Sequence, residues 1–404
     1  MRAIMDRQQK LVLKLRAGQV FRPGTPIDKF SLFAGRQEQV EEIVHAINQT
    51  GQHVVIFGER GVGKTSLTRV LVELLFQAGI DVISPENVNC DKNDTFATVW
   101  NKAFRELITM LKVRNRETSL QIHLDVSEVY SDTPSDVRYA LGLLPSQTVI
   151  VIDEIDRIED NETTTLFADL IKDLSDHSTP ITLILVGVAD SVDGLIREHR
   201  SVERALIQVH LPRMSSNELH EILSKGITDL DMTFTKDAAN QIVQLSAGLP
   251  HYTHTLALYS TEHAIEQERL IVTTADVSEA IKKTVDKPGS LLSIYETATQ
   301  SSRKTLYEQV LLACAMSPKS ELGFFSAASI KAPLEHITGK RYDIPAFARH
   351  LDALCSDGRG RVLSKTGISR QHRFRFVNPL LQPYIIIHGL AKGLLTEELI
   401  YIGE

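Results

Sequence analysis

Glycine, lysine and a hydroxyl residue recur in a telling order in Gly58-Glu59-Arg60-Gly61-Val62-Gly63-Lys64-Thr65. The chemistry of that spacing, G-x-x-x-x-G-K-[ST], is polyphosphate binding. Glycines let backbone N–H groups converge on phosphate oxygens, and the helix that follows turns its positive end to the same anion. Lys64 is expected to reach the β- and γ-phosphates of a nucleoside triphosphate and the Thr65 hydroxyl to ligate Mg²⁺. The binding segment runs Gly58, Glu59, Arg60, Gly61, Val62, Gly63, Lys64, Thr65 and Ser66.

This loop needs a strand before it and a helix after it. Val54-Val55-Ile56-Phe57 supplies a short buried strand, and Val62, Leu67, Val70, Leu71 and Leu74 mark the apolar side of a helix. Downstream, Thr148-Val149-Ile150-Val151-Ile152 runs into Asp153-Glu154. A continuous β-branched run ending in acids reads as a buried parallel strand delivering carboxylates to the carboxyl edge of a sheet. Alone, such a run also fits the start of a helix. After a phosphate loop, Asp153 fits the carboxylate that holds Mg²⁺, and Glu154 the group that orients the attacking water. Phosphoryl transfer needs mainly positioning and charge neutralisation, so these acids with Lys64 cover its core.

Composition narrows the remaining classes. The chain has 404 residues, 43% hydrophobic and 24% charged, with net charge −7. That charge gives no global attraction to nucleic acid or anionic membrane, so such a partner requires a local basic patch. Cys90, Cys314 and Cys355 are far apart and lack a CxxC pair, so they read as buried thiols in a reducing compartment and not as a disulfide or zinc framework. No apolar run has transmembrane length and the amino terminus lacks a signal-like segment, so the expected location is cytoplasmic.

Four regions follow in order: an amino-terminal arm (1–28), an αβ core (29–213), a helical segment (214–288) and a carboxy-terminal unit (289–404). In the arm, Arg2, Arg7, Lys10, Lys14 and Arg16 alternate with Ile4, Leu11, Leu13 and Leu15, predicting a basic helix. It either docks on its own body or binds a partner. A helix is predicted over 37–49, a second strand at Asn87–Cys90, and a helix from Asp94 to about Leu111. Residues 114–132 are polar and mixed, a functional insertion or a long loop. A third buried strand, Ile181–Val188, precedes Ala189-Asp190-Ser191, and a fifth spans residues near 206–209.

The order of phosphate loop, Asp-Glu strand and a further strand ending in a polar residue resembles the AAA+ ATPases. That resemblance implies a P-loop parallel sheet with helices on both faces, a small helical lid and here a carboxy-terminal winged-helix domain. It implies that the loop before the helix, Leu32–Arg36, packs against adenine through backbone groups. Asp190 matches the sensor that helps place the lytic water, with Ser191 as second choice and helix capping as the plainer role. Arg204, then Arg200, matches the arginine finger that reaches a neighbouring subunit, which requires a homo-oligomer; an internal ion pair is the alternative. Many relatives carry a second sensor arginine after the Gly-x-Pro of the lid. Here His251 follows Gly248-Leu249-Pro250, so that cationic contact is missing or pH-dependent. His251 and His254 share a helix face, but no third metal ligand accompanies them.

Helices near 305–315, 332–337 and 344–356, followed by strands at 358–365 and 373–377, resemble a winged helix. Arg359, Arg361, Lys365, Arg370, Arg373 and Arg375 lie in or beside its hairpin with no acid between Arg359 and Val377. Alternation puts Phe374 and Phe376 on one face, Arg373 and Arg375 on the other. Such a patch meets duplex DNA phosphates or serves packing and protein contacts. Together the regions resemble initiator-type AAA+ ATPases, a group that includes origin-recognition and cell-division-control initiators, transposition ATPases and archaeal ATPases grading into STAND switches. The resemblance implies an ATPase whose nucleotide state controls assembly and DNA association, or a STAND-like switch acting on a protein effector without DNA. The lid and winged helix offer no acceptor site for a metabolic kinase.

Overall fold

Six residues from His53 to Gly58 form β1, and all six are buried, so both faces of this strand are covered. The computed structural model describes residues 5–84, 88–113, 132–144, 146–196, 202–287, 289–301, 305–368 and 371–396. Next to β1 stand β4 (Ile181–Val188) and β5 (Leu206–His210); β3 (Thr148–Ile152) and β2 (Asp81–Ile83) extend the sheet in the order β2-β3-β4-β1-β5. Every pairing in it is parallel. Val55, Phe57, Ile150, Ile152, Leu183 and Leu185 line one face. They pack with Phe96, Trp100 and Phe104 of α4 (Phe96–Val113) and Phe167 of α6 (Asn161–Asp176), with α5 (Pro134–Leu141) beside them. Helices α2 (Gln37–Ile47) and α3 (Lys64–Gln77) also pack on β1.

The second strand is a correction. It is Asp81–Ile83, in register with Thr148–Ile150, whereas Asn89 contributes a single bridge to Asp153. Three residues carry too little periodicity to be read as a strand. Its buried Asp81 is accommodated by a hydrogen bond from Ser146 Oγ at 2.6 Å. Residues 114–131 of the unassigned region lie outside the described residues.

The described chain falls into two units: residues 26–59 with 63–212 hold the sheet, while 1–25, 60–62 and 213–404 form a helical unit. In the helical unit, α1 (Arg7–Val20) starts with a capping box at Asp6. Lys10 pairs with Glu268 at 2.8 Å and Lys14 with Glu266 at 2.6 Å. Phe21 is fully buried against Phe234 and His254, and a Cβ on Gly226 would lie 2.4 Å from its ring. The basic helix therefore docks on its own body, while Leu11, Val12 and Leu15 face outward.

Four helices continue this unit, α7 (Ser216–Thr228), α8 (Lys236–Ser246), α9 (Pro250–Glu266) and α10 (Thr274–Asp286), with the short parallel pair β6 (Thr233–Phe234) and β7 (Ile271–Val272) among them. Asp276, fully buried at the start of α10, caps that helix and accepts from Arg269 and His263, which holds its carboxyl down to about 2 although burial alone would raise it. The final part comprises α11 (Ser290–Thr299), α12 (Tyr307–Met316), α13 (Lys331–Thr338) and α14 (Ile344–Leu354). With them stands an antiparallel sheet ordered β8 (Phe325–Ser326), β10 (Arg373–Phe376), β9 (Leu363–Thr366). Helices followed by a hairpin on a small sheet are the arrangement expected of a winged helix. Strand β9 begins later than the sequence suggests, because residues 357–359 form a 3-10 turn and Gly360 and Arg361 are left-handed. After the hairpin comes a further helix, α15 (Leu381–Ala391), with eight buried residues.

Candidate functional site

Gly58 ends β1 at φ 153°, where a Cβ would lie 2.3 Å from Leu211 O on the neighbouring strand's exit. Only glycine fits that approach. Gly63, at φ 100°, precedes the first turn of α3. There Lys64, 8% exposed, folds back so that Nζ donates to Gly58 O and Glu59 O, both at 3.0 Å. An ammonium held by loop carbonyls is aimed into the loop's own concavity. Glycine geometry, helix start and cation together fit a polyphosphate.

The acids come from β3. Because β3 and β1 flank β4, with Ile152 opposite Leu185 and Gly58 opposite Val188, both carboxyl ends emerge at one edge. Thr65 Oγ1 donates to Asp153 Oδ2 at 3.1 Å. Asp153 is 6% exposed, and burial pushes its carboxyl up against the opposing hydrogen bonds from Glu154 N and Thr65. A buried carboxylate beside a hydroxyl at a phosphate loop is the hard-oxygen pair that suits Mg²⁺.

Glu154 leaves the strand in a left-handed conformation, φ 56° and ψ 36°. A 3-10 turn, Ile155–Arg157, follows. Asp156 Oδ1 accepts the Val188 amide at 2.8 Å, tying this turn to the end of β4, and Arg157 Nη1 donates to Glu154 Oε2 at 2.6 Å. Neither contact was singled out from the sequence, although a Glu–Arg pair three apart at a turn was its available signal.

Other expected residues divide. Asp190 is exposed two residues beyond β4, at the same edge as Asp153. Ser66 Oγ accepts the Ile27 amide at 3.1 Å, joining α3 to the segment that leads into Phe33 and Arg36. Arg36, left-handed and 5% exposed, donates to Pro212 O. Arg204 stands apart: His53 pairs with Leu206 at the amino end of β1, so Arg204 lies at the far edge of the sheet from Gly58. Its guanidinium pairs with Asp176 at 3.1 Å and is 82% exposed. Arg200 lies outside the described residues.

In the helical unit, burial lowers the pKa of His251, and its Nδ1 sits 2.8 Å from Pro23 O. A neutral ring donating to that carbonyl holds the arm. His254 packs on Phe21, and the described residues contain no cluster of potential metal ligands. Arg213 joins the four-helix segment to α15, donating to Ala247 O at 3.1 Å and Gln382 Oε1 at 2.7 Å.

The wing's cations are not equivalent. Arg359 donates to Ala298 O and Gln300 O and lies 3.9 Å over the Tyr307 ring, which makes it a packing residue. Arg375 stacks 4.9 Å over Phe324. Lys365 pairs with Asp352 at 2.8 Å. Arg361 and Arg373 are exposed, as is Ile368 at the hairpin tip, while Arg370 lies outside the described residues. Phe374 and Phe376 are buried, as alternation requires. On α14, His350 is buried against Tyr307, leaving Arg349 and Asp352 as its exposed charges.

A family model described as "Novel STAND NTPase 1" matches residues 27–318. The ORC1-type DNA replication protein 2 of Thermoplasma acidophilum is 22% identical over 203 residues, covering 48% of this chain and 47% of that protein. The ORC1-type DNA replication protein 8 of Halobacterium salinarum is 25% identical over 273 residues, covering 61% of this chain and 64% of that protein. The chain therefore spans between about half and two thirds of the length of these curated relatives. Among solved structures, the Aeropyrum pernix ORC1 protein in complex with DNA shares 16% identity at TM-score 0.48, over 93% of this chain and 97% of that one.

Proposed function

Because the chain belongs to the Novel STAND NTPase 1 family, and is thus a P-loop NTPase, we propose that it hydrolyses ATP with Mg²⁺ and that its nucleotide state controls association with duplex DNA through the winged helix. The observation that carries the hydrolytic part is the meeting of Thr65 and Asp153 at 3.1 Å beside Lys64 and Glu154. Lys64 and the glycine loop bind the phosphates. Thr65 and Asp153 would hold Mg²⁺, which would supply charge neutralisation for phosphoryl transfer. Glu154 orients and deprotonates the attacking water. Asp190, at the same edge, hydrogen-bonds that water or the phosphate. Arg204 completes a site only across subunits, since within its own chain it faces Asp176; that role requires a homo-oligomer.

The DNA part is supported by the exposed cations Arg361 and Arg373, with Lys365, on one hairpin. The names of the curated relatives, ORC1-type DNA replication proteins, point the same way. With a chain of net charge −7, binding must come from that local patch. We expect Arg361→Ala with Arg373→Ala to weaken duplex binding and to flatten the plot of log K against log salt by up to about two units. Sequence preference should be small, because such contacts meet the backbone. Fluorescence anisotropy with a labelled duplex, in ATP and in ADP, measures both; no binding at low salt in either state rejects the DNA part.

One observation favours a protein effector instead. Arg359 and Arg375 are held in internal contacts, and α14 exposes one cation and one anion. If the DNA titration is flat, the remaining exposed cations suit an acidic protein surface, and the chain is a switch.

A further inference from the structure

We propose that Arg157 is a positioning residue that restrains Glu154 and sets the hydrolytic rate. The proposal rests on the reading of Glu154 as the water-orienting group and adds its regulation. The turn from Ile155 to Arg157 is fixed at two points independent of the bond in question. Ile155 is 1% exposed in the core, and Asp156 Oδ1 accepts the Val188 amide. A further backbone bond, from Arg157 N to Glu154 O at 3.0 Å, closes the turn. With its backbone so fixed, the Arg157 guanidinium faces back onto the Glu154 carboxylate and holds Oε2 at 2.6 Å. Glu154 itself sits at φ 56°, a conformation that a non-glycine residue adopts at a cost and that often marks a functional position.

A carboxylate that activates water needs an oxygen lone pair directed at that water. Arg157 competes for one of the two oxygens and for the negative charge. Both partners are about half exposed, 51% for Arg157 and 44% for Glu154, so the pair is weak and opens readily. Arg157 is therefore a brake of modest strength, graded by whatever draws its guanidinium away. An anion at the same sheet edge, such as a phosphate oxygen, does this by offering a competing acceptor.

The test compares steady-state phosphate release by the full chain, with ATP as substrate, for wild type, Arg157→Ala, Arg157→Lys and Glu154→Gln. Arg157→Ala should raise kcat about two- to fivefold with KM within twofold, and Arg157→Lys should fall between it and wild type. Raising salt should speed the wild type towards the Ala variant while leaving that variant flat, a response that a purely structural arginine does not give. An unchanged or lowered kcat in Arg157→Ala, or salt responses that run in parallel, overturns the brake. Wild-type turnover by Glu154→Gln instead overturns the reading of Glu154 itself, and the two failures are told apart within one data set.

Discussion

Glu154→Gln should lower ATP turnover by on the order of 10²- to 10³-fold while ATP affinity stays within about twofold, the range expected for loss of a general base. The separation follows from geometry. Nucleotide is held by the glycine loop, Lys64 and Thr65, and the bonds that orient them run to Gly58 O, Glu59 O and Asp153. The Glu154 side chain has its hydrogen bond with Arg157 instead. Gln keeps the shape and length of the side chain but cannot accept a proton. Its backbone N–H still donates to Asp153 Oδ1, so Asp153 keeps that support. Equilibrium binding of a fluorescent ATP analogue, set against phosphate release, measures the two quantities separately. Equal losses in both would mean that Glu154 supports the fold of the site and not its chemistry.

Stability of the sheet unit should fall by about 2 kcal/mol between pH 7.5 and pH 5 through His53 alone. The ring is fully buried in β1, its Nδ1 accepts the Leu183 amide at 3.1 Å, and burial lowers its pKa to about 4. Below pH 6.5 the unfolded chain takes up a proton at this ring that the folded chain refuses until about pH 4, so stability is lost as pH falls across that interval. Asp276 titrates lower, near 2, and belongs to the helical unit, so it does not obscure the window. His254 has the same sign and also lies in the helical unit, with its pKa lowered to about 4. The single tryptophan, Trp100, is buried in the sheet unit and reports its unfolding. Urea titrations followed at Trp100 should show the midpoint dropping at pH 5. His53→Asn, whose Oδ1 replaces the ring acceptor without titrating, should flatten the change. A pH-independent midpoint in the wild type contradicts this.

The phosphate loop and the Asp-Glu strand were legible because each is contiguous and its chemistry constrains backbone and side chains together. Long-range geometry was not. The Thr65–Asp153 contact was implied by role, but Arg157 on Glu154 and Asp156 on Val188 depend on where a 3-10 turn lands against β4. Strand β2 escaped because three residues carry no period. Helix α15 escaped for the opposite reason: Tyr384-Ile385-Ile386-Ile387 is apolar all round, as a buried helix is, and so shows no amphipathic stripe. The wing's face alternation was readable in Arg373–Phe376, yet sequence could not tell Arg359, stacked on Tyr307, from the exposed Arg361. His251 was recognised as a departure at the sensor position; that its ring holds Pro23 required the fold.

Phosphate release under single-turnover conditions, with Mg²⁺ titrated against wild type, Thr65→Val and Asp153→Asn, tests the hydrolytic centre most directly. The account predicts release that requires Mg²⁺, a higher Mg²⁺ requirement in Thr65→Val, and release slowed at least about tenfold in Asp153→Asn at saturating metal. Release independent of Mg²⁺, or Asp153→Asn turning over as fast as wild type, would contradict it.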